Sequence, residues 1–256
     1  MDKFLDIFNQ FETLQIRDAI NFELMNEILI SYHSTAIEGS SLTEEESRLL
    51  LLEGITAKGK PLNDHNMLWA HQQALIHVLG LVKEKRRITP AFLQEINARV
   101  MKTTGSVIHS VAGIYDSSKG DFRKSMVHVG ARYFVNYQKV PLEVGKICDD
   151  LNQKINAVSD SVEMYNLAFD AHFQLVSIHP WADGNGRTSR LLMNYILQYH
   201  NQPLAIVFKE DKADYFKALE DSRLENDIQC FRDFMFSQQI KYLSNEIDKV
   251  KRAMES

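Results

Sequence analysis

Two cysteines, Cys148 and Cys230, are all that 256 residues contain. Two thiols in so long a chain build neither a disulfide scaffold nor a zinc site, so a reducing compartment is the expectation. Glycine (11) and proline (5) are also scarce, about 4% and 2% against a usual ~7% and ~5%. Few residues are left for tight turns, which argues against sandwiches, β-barrels, collagen-like repeats and Pro-rich disorder, and for long helices. No apolar run approaches the ~18 residues of a membrane span. Met1-Asp2-Lys3-Phe4 lacks the basic-then-apolar pattern of a signal peptide. Positive charge is not in excess either: a net charge of −5 and a pI near 6.0 speak against a broad nucleic-acid surface, while leaving room for a local basic site. What remains, 45% hydrophobic and 25% charged, is the balance of a soluble globular protein. The expectation is a cytoplasmic, mainly α chain without linkers or repeats, forming one globular unit over 1–256.

Periodicity supports this reading. Apolar residues recur at helical spacing from Phe4 to Ile30 (Phe4, Ile7, Phe8, Phe11, Leu14, Ile20, Phe22, Leu24, Ile28). Thr43 and Glu46 have capping-box form and predict a helix through Leu52. Further helices are predicted from Asn63 to Lys85 and, after Thr89-Pro90, to about Met101. The stretch 103–138 reads as a loop carrying a small hairpin, with a short strand within Phe122 to Val129. Helical spacing returns from Pro141 to Ile155. On Ser161 to Ile178 the polar residues Glu163, Asn166, Asp170, Gln174 and Ser177 form one narrow stripe, the mark of a helix in the middle of the fold. Thr188 to His200 reads as a second internal helix, with two more near Lys212 to Arg223 and Asp227 to Arg252. Met67 and Trp69 read as core, and Glu246, Asp248 and Lys249 as the solvated face of the last helix.

Between the two internal helices stands His179-Pro180-Trp181-Ala182-Asp183-Gly184-Asn185-Gly186-Arg187-Thr188-Ser189-Arg190. Pro180 disfavours helix at His179 and leaves its imidazole at a loop mouth. Gly184-Asn185-Gly186 permits a turn whose amides, feeding into a helix N-terminus, form a concave anion site. Arg187 and Arg190, three apart, share a helical face and can add bidentate contacts to phosphate oxygens. Asp183 would repel a phosphate unless a divalent cation lay between them, a position that suits Mg²⁺. His179 is then the nearby group able to accept a proton. The segment is neither a P-loop nor a dinucleotide fingerprint.

The segment resembles the signature of the Fic family, His-Pro-Phe-x-Asp/Glu-Gly-Asn-Gly-Arg-x-x-Arg, with Trp181 where phenylalanine is usual. Weaker similarity extends along the chain. Thr89 to Val100 resembles the family's opening core helix, Gly120-Asp121-Phe122-Arg123 through Val129 its flap hairpin, and Val140-Pro141 the start of the next helix. The resemblance implies a Fic-type helical bundle around two central helices with a small β-hairpin flap. It divides the chain into an N-terminal helical region (1–60), a Fic (Fido) core (88–224) and a C-terminal helical extension (225–256).

It implies transfer of AMP from ATP to a hydroxyl of a target protein. His179 would be the base, and Asp183 would hold Mg²⁺. Gly184, Asn185 and Gly186 would cradle the phosphates, with Arg187 and Arg190 on the departing pyrophosphate. The target would dock as an extended segment at the flap, near Phe122 to Val129. No membrane and no nucleic acid is implied, and a homo-oligomer is left open. The segment Asp214 to Leu219 resembles the part of Fic proteins near the adenine, which marks Tyr215 as a pocket residue, with aromatic core packing as the alternative.

Ser34-Thr35-Ala36-Ile37-Glu38-Gly39 resembles the inhibitory motif of one Fic class. Ser34 and Glu38 share one helical face and Gly39 suits a helix C-cap. Glu38 there opposes its own helix dipole, which a cationic partner would offset; the resemblance makes that partner Arg190. The bland alternative is a solvent-facing glutamate. Glu38 could equally activate water for removal of AMP. His172 reads as a satisfied core histidine and Asn194 as a hydrogen-bonding residue in a helix interior. Two other functions stay open: Fic-type transfer of another phosphate-containing group, and a non-catalytic nucleotide-binding regulator.

Overall fold

The structure, a computed structural model, describes residues 1–129 and 132–255. Its helices are α1 (Asp2–Thr13), α2 (Phe22–Ile37), α3 (Glu44–Glu53), α4 (Leu62–Leu81), α5 (Pro90–Val100), α6 (Val140–Lys154), α7 (Ser161–Ile178), α8 (Asn185–Tyr199), α9 (Lys212–Leu224) and α10 (Gln229–Glu255). Two short antiparallel hairpins interrupt them, β1 (Val107–Ser110) with β2 (Gly113–Asp116) and β3 (His128–Val129) with β4 (Arg132–Tyr133). The fold is mainly α, as the composition predicts, and is built around α7 and α8. Among the described residues no helix is long and apolar enough to cross a membrane.

Every side chain of α8 from Arg187 to Leu197 is buried, charged ones included. A helix enclosed on all sides must lie at the centre. There α8 packs against α7, α4 and α5, while α7 also meets α6 and α10. Local chemistry sets the ends. Thr43 and Glu46 form the full capping box of α3, Thr89 Oγ1 accepts the Phe92 amide at 3.1 Å, and Asp160 Oδ1 accepts that of Glu163 at 2.9 Å. The bounds of α7 are those its stripe predicts.

The structure corrects several expectations. The apolar run from Phe4 to Ile30 is not continuous. Gln15 and Asn21 take left-handed angles (φ 50° and 65°) and break it around a short 3₁₀ turn at Ile16–Asp18. Ile16 is buried across the break, so the spacing hides it, whereas Ile20 is 92% exposed. Within Phe122 to Val129 strand structure is confined to His128–Val129, which pairs with Arg132–Tyr133, and a further hairpin, β1–β2, lies in the stretch read as loop. Trp69 is 46% exposed, not core, although Met67 is buried. Glu246 is mostly covered, its side chain 13% exposed beside Lys249. His172 is not fully satisfied: its Nδ1 has no partner. Finally, α8 begins at Asn185 and not at Thr188, which makes the glycine turn part of its first turn.

Candidate active site

The chain leaves α7 through His179, held in the left-handed region (φ 55°) before Pro180. It returns through Gly184, also left-handed (φ 78°). A Cβ on Gly184 would stand 2.8 Å from Asn97 Nδ2 and 2.9 Å from Met101 Sδ, so glycine is required on both counts. Between them Trp181 is sealed in the core and its indole N–H donates to the Gly120 carbonyl at 3.0 Å. The Asn185 side chain clamps the loop, accepting the Trp181 amide and donating to the Trp181 carbonyl, both at 3.0 Å. Its contribution to a ligand is therefore its backbone. The amides of Asn185, Gly186 and Arg187 open α8, where no acceptor exists within the helix, and make an anion-binding end. The Gly184 amide, by contrast, donates to Asp183 Oδ1.

His179 lies flat against Phe134, ring centroids 4.3 Å apart at 28°. Burial first, then the charges of Arg123 and Arg132, hold its pKa down at about 4, with Glu38 and Asp183 opposing them. The ring is thus neutral at physiological pH, with a free lone pair for a proton. It is half-buried and not sealed from solvent.

Sequence reasoning missed the residues that fasten this loop. Arg123, 1% exposed, donates through Nε to the His179 carbonyl at 2.8 Å. Its Nη1 reaches the Ser125 carbonyl at 2.7 Å and its Nη2 the Val135 carbonyl at 2.5 Å. Its own amide donates to the Pro180 carbonyl at 3.0 Å. Asn97 donates through Nδ2 to the Asp183 carbonyl at 3.2 Å and to Thr188 Oγ1 at 3.1 Å. No local motif announces such roles, because the contacts to the loop are made across 56 to 91 positions of sequence.

The two arginines of α8 diverge. Arg187 turns to Asp183 Oδ1 at 3.1 Å and to Met101, leaving its Nε and Nη1 buried without partners. Arg190 turns to α2: Nη2 meets Glu38 Oε1 at 2.7 Å and the Ser34 carbonyl at 2.8 Å, and Nε meets Ser34 Oγ at 2.9 Å. Burial disfavours the charge on Arg190, yet Glu38 beside it keeps its pKa above the usual value. A Cβ on Gly186 would collide with Glu38 Oε1, so this carboxylate rests on the first turn of α8. Glu38 opposes the dipole of α2 but favours that of α8.

Tyr215 is buried behind Arg190, its hydroxyl 3.5 Å from Nη1 and 3.0 Å from His172 Nε2. It is not at the open mouth. Asn194 exchanges two hydrogen bonds with the backbone of Ala205, at 2.8 and 3.1 Å.

Asp183 presents a side chain 62% exposed at the mouth. Among the described residues no three His, Cys, Asp or Glu side chains converge as a metal cage. One carboxylate fits Mg²⁺, which keeps waters and shares the oxygens of a phosphate ligand. The arrangement as a whole offers a neutral base, a lone exposed carboxylate, a positive helix end and two buried guanidiniums.

The profile of the Fic/DOC family matches residues 87–197. Protein adenylyltransferase Fic of Drosophila willistoni is 31% identical over 204 residues, 80% of this chain and 38% of that protein. Protein adenylyltransferase fic-1 of Caenorhabditis briggsae is 31% identical over 223 residues, 86% of this chain and 41% of that protein. The chain thus spans about two fifths of the length of these relatives. A Fic-domain signalling protein of Bacteroides thetaiotaomicron has the same fold, with a TM-score of 0.82 at 23% identity over 97% of this chain and 98% of that one. Fic-1 of C. elegans follows at 0.77 and 25%, over 98% and 71%. Residues 87–197 therefore form a Fic/DOC family domain.

Proposed function

We propose that the protein transfers AMP from ATP to a hydroxyl side chain of a target protein and that Glu38 restrains this activity. The observation that carries the reading is the carboxylate of Glu38 seated on the first turn of α8 and paired with Arg190. In this reading the Glu38 carboxylate, 2.7 Å from Arg190, takes the place of a phosphate at the start of α8. The names of the curated relatives support the reaction.

In this reading the target segment lies extended beside the flap, near Phe122 to Val129, adding backbone hydrogen bonds at the β3–β4 edge. Neutral His179 accepts the proton of the target hydroxyl as that oxygen bonds to the α-phosphorus. The bond from the α-phosphorus to the bridging oxygen breaks, and its electron pair leaves with pyrophosphate. The amides opening α8 face the charge that accumulates on the phosphoryl oxygens, and they are oriented before the reaction. Arg187 brings two guanidinium nitrogens without protein partners, and Arg190, once free of Glu38, brings a second positive charge. Asp183 would hold Mg²⁺, which would supply neutralisation of the phosphate charge. Arg123 fixes the backbone of His179, and Phe134 covers one face of its ring.

Incubation with Mg²⁺ and ATP labelled at either the α- or the γ-phosphate tests the reading. Label entering protein from the α-position alone, and lost in His179→Ala, is the expected result. Label from the γ-position alone would make the protein a kinase, and none from either a nucleotide-binding regulator.

A further inference from the structure

Charge is unevenly distributed along the chain. Residues 101–139, between α5 and α6, hold six basic side chains (Lys102, Lys119, Arg123, Lys124, Arg132, Lys139) against two acidic ones, Asp116 and Asp121, in a protein of net charge −5. The two acids are engaged within the segment: Asp116 Oδ1 accepts from the Ser118 amide and hydroxyl, and Asp121 Oδ2 accepts the Asp116 amide. This segment carries the flap.

The imbalance is sharpest beside His179. On β4, the Arg132 guanidinium stands 4.5 Å from the centre of the Phe134 ring, which itself stacks on His179. Glu220 lies 3.6 Å from Arg132 and 3.5 Å from Arg223 of α9. One carboxylate, 47% exposed, thus serves two guanidiniums that are only 26% and 18% exposed. Arg223 also lies over Phe173 and donates to Ser177 Oγ at 3.2 Å. Burial first, then repulsion from Arg132, push the Arg223 pKa down to about 10, with Glu220 opposing them. Half-buried guanidiniums bind carboxylate or phosphate more strongly than exposed ones, and their planar forks suit both.

We infer that Arg132 and Arg223 form an acidic-residue subsite for the target, selecting acceptor segments whose hydroxyl is flanked by carboxylate side chains. The inference rests on the flap being the element that receives the target. A second carboxylate beside Glu220 would give each guanidinium its own partner at the strand edge next to the base. The exposed carboxylate of Glu220 would shift its share to one arginine as the other is taken up.

Fluorescence anisotropy on the intact chain tests this without any turnover. Three labelled peptides of one length carry a central tyrosine flanked by glutamates, glutamines or lysines. The glutamate peptide is expected to bind about tenfold more tightly than the lysine peptide at low salt, as two partly screened ion pairs would give. That margin should shrink in 0.5 M NaCl, with the test salt set well above physiological ionic strength. The double charge reversal Arg132→Glu/Arg223→Glu, its fold checked by circular dichroism, should invert the order, which loss of structure alone would not do. Equal affinities for the three peptides, no binding of the glutamate peptide up to about 1 mM, or an order unchanged by the reversal would overturn the subsite. If the subsite is right and AMP transfer is wrong, the peptide preference survives while no α-phosphate label enters protein.

Discussion

Glu38 Oε1 and Arg190 Nη2 stand 2.7 Å apart across 152 positions of sequence, joining α2 to the first turns of the central helix α8. Ser34, one turn before Glu38, adds its hydroxyl and its carbonyl to the same guanidinium. Arg190 is 3% exposed, so its charge depends on these partners. Replacing Glu38 by alanine should destabilise the fold by about 1–3 kcal/mol, the usual penalty for a charged group losing a hydrogen-bonded partner, since Ser34 retains part of the contact. In a domain of this size each kcal/mol lowers the melting temperature by roughly 2–4 °C. ATP with Mg²⁺ should then raise the melting temperature of Glu38→Ala more than that of the parent, because no carboxylate competes for Arg190. Equal ligand-induced shifts in a thermal scan would contradict this.

Arg123 binds backbone carbonyls of both the His179–Arg190 loop and the flap base, a pattern that suits a planar five-donor fork. Arg123→Lys keeps the charge but not the fork. Transfer by that variant should fall at least about tenfold in kcat, as expected when a positioning contact shifts the base by a fraction of an ångström. Nucleotide affinity, which the proposal assigns to α8, should change little. A Lys variant with parental kcat would show that charge alone suffices.

His179 owes its low pKa first to burial, and Phe134 supplies much of its cover. Phe134→Ala should let the pKa rise from about 4 toward the ordinary 6.5. Because the proposed reaction needs the neutral ring, activity should be lost as pH falls through that pKa. The acid limb of kcat/KM, measured in the Glu38→Gly protein, should therefore move to higher pH when Phe134 is removed. An unmoved limb would mean that another group sets it.

Stability should follow the same groups. Burial lowers the pKa of His33 and His179 to about 4 and that of His71 and His172 well below 6.5. The unfolded chain takes up these protons near pH 6.5, and the folded one does not until far lower pH. Stability is therefore fully present above pH 6.5 and falls as pH drops from there toward 4, by about 1.4 kcal/mol per pH unit for each proton involved. Urea midpoints at pH 7, 6 and 5 should decline in that order. A midpoint constant from pH 7 to 5 would contradict the burial of these rings.

Much of the fold could be read in advance where a single local rule acts. The stripe on α7 gives its bounds because a central helix has only one polar row, and Thr43 with Glu46 marks the start of α3 because capping is local. The break between α1 and α2 escaped because Ile16 keeps the apolar spacing while Gln15 and Asn21 supply left-handed turns without glycine. The β1–β2 hairpin escaped for a related reason: its two connecting residues, Val111 and Ala112, lack turn chemistry, and only Gly113 (φ 118°) hints at it. Trp69 was misplaced because an aromatic residue type alone suggests core, whereas it lies on the exposed face of α4 with Gln73 and Ile76. At the site, the twelve contiguous residues from His179 to Arg190 were visible as a unit. Arg123, Asn97 and Phe134 were not, since each reaches the loop through the fold from elsewhere in the chain.

The most direct measurement is intact mass spectrometry of the Glu38→Gly protein after exposure to ATP and Mg²⁺, alongside the parent and Glu38→Gly/His179→Ala. Freeing Arg190 from one charge-assisted hydrogen bond, worth about 1.5–3 kcal/mol, should raise AMP incorporation on the order of 10- to 100-fold over the parent. The added mass should vanish when His179 is removed. Equal incorporation in Glu38→Gly and parent, or incorporation that persists without His179, would contradict the assignment of brake and base.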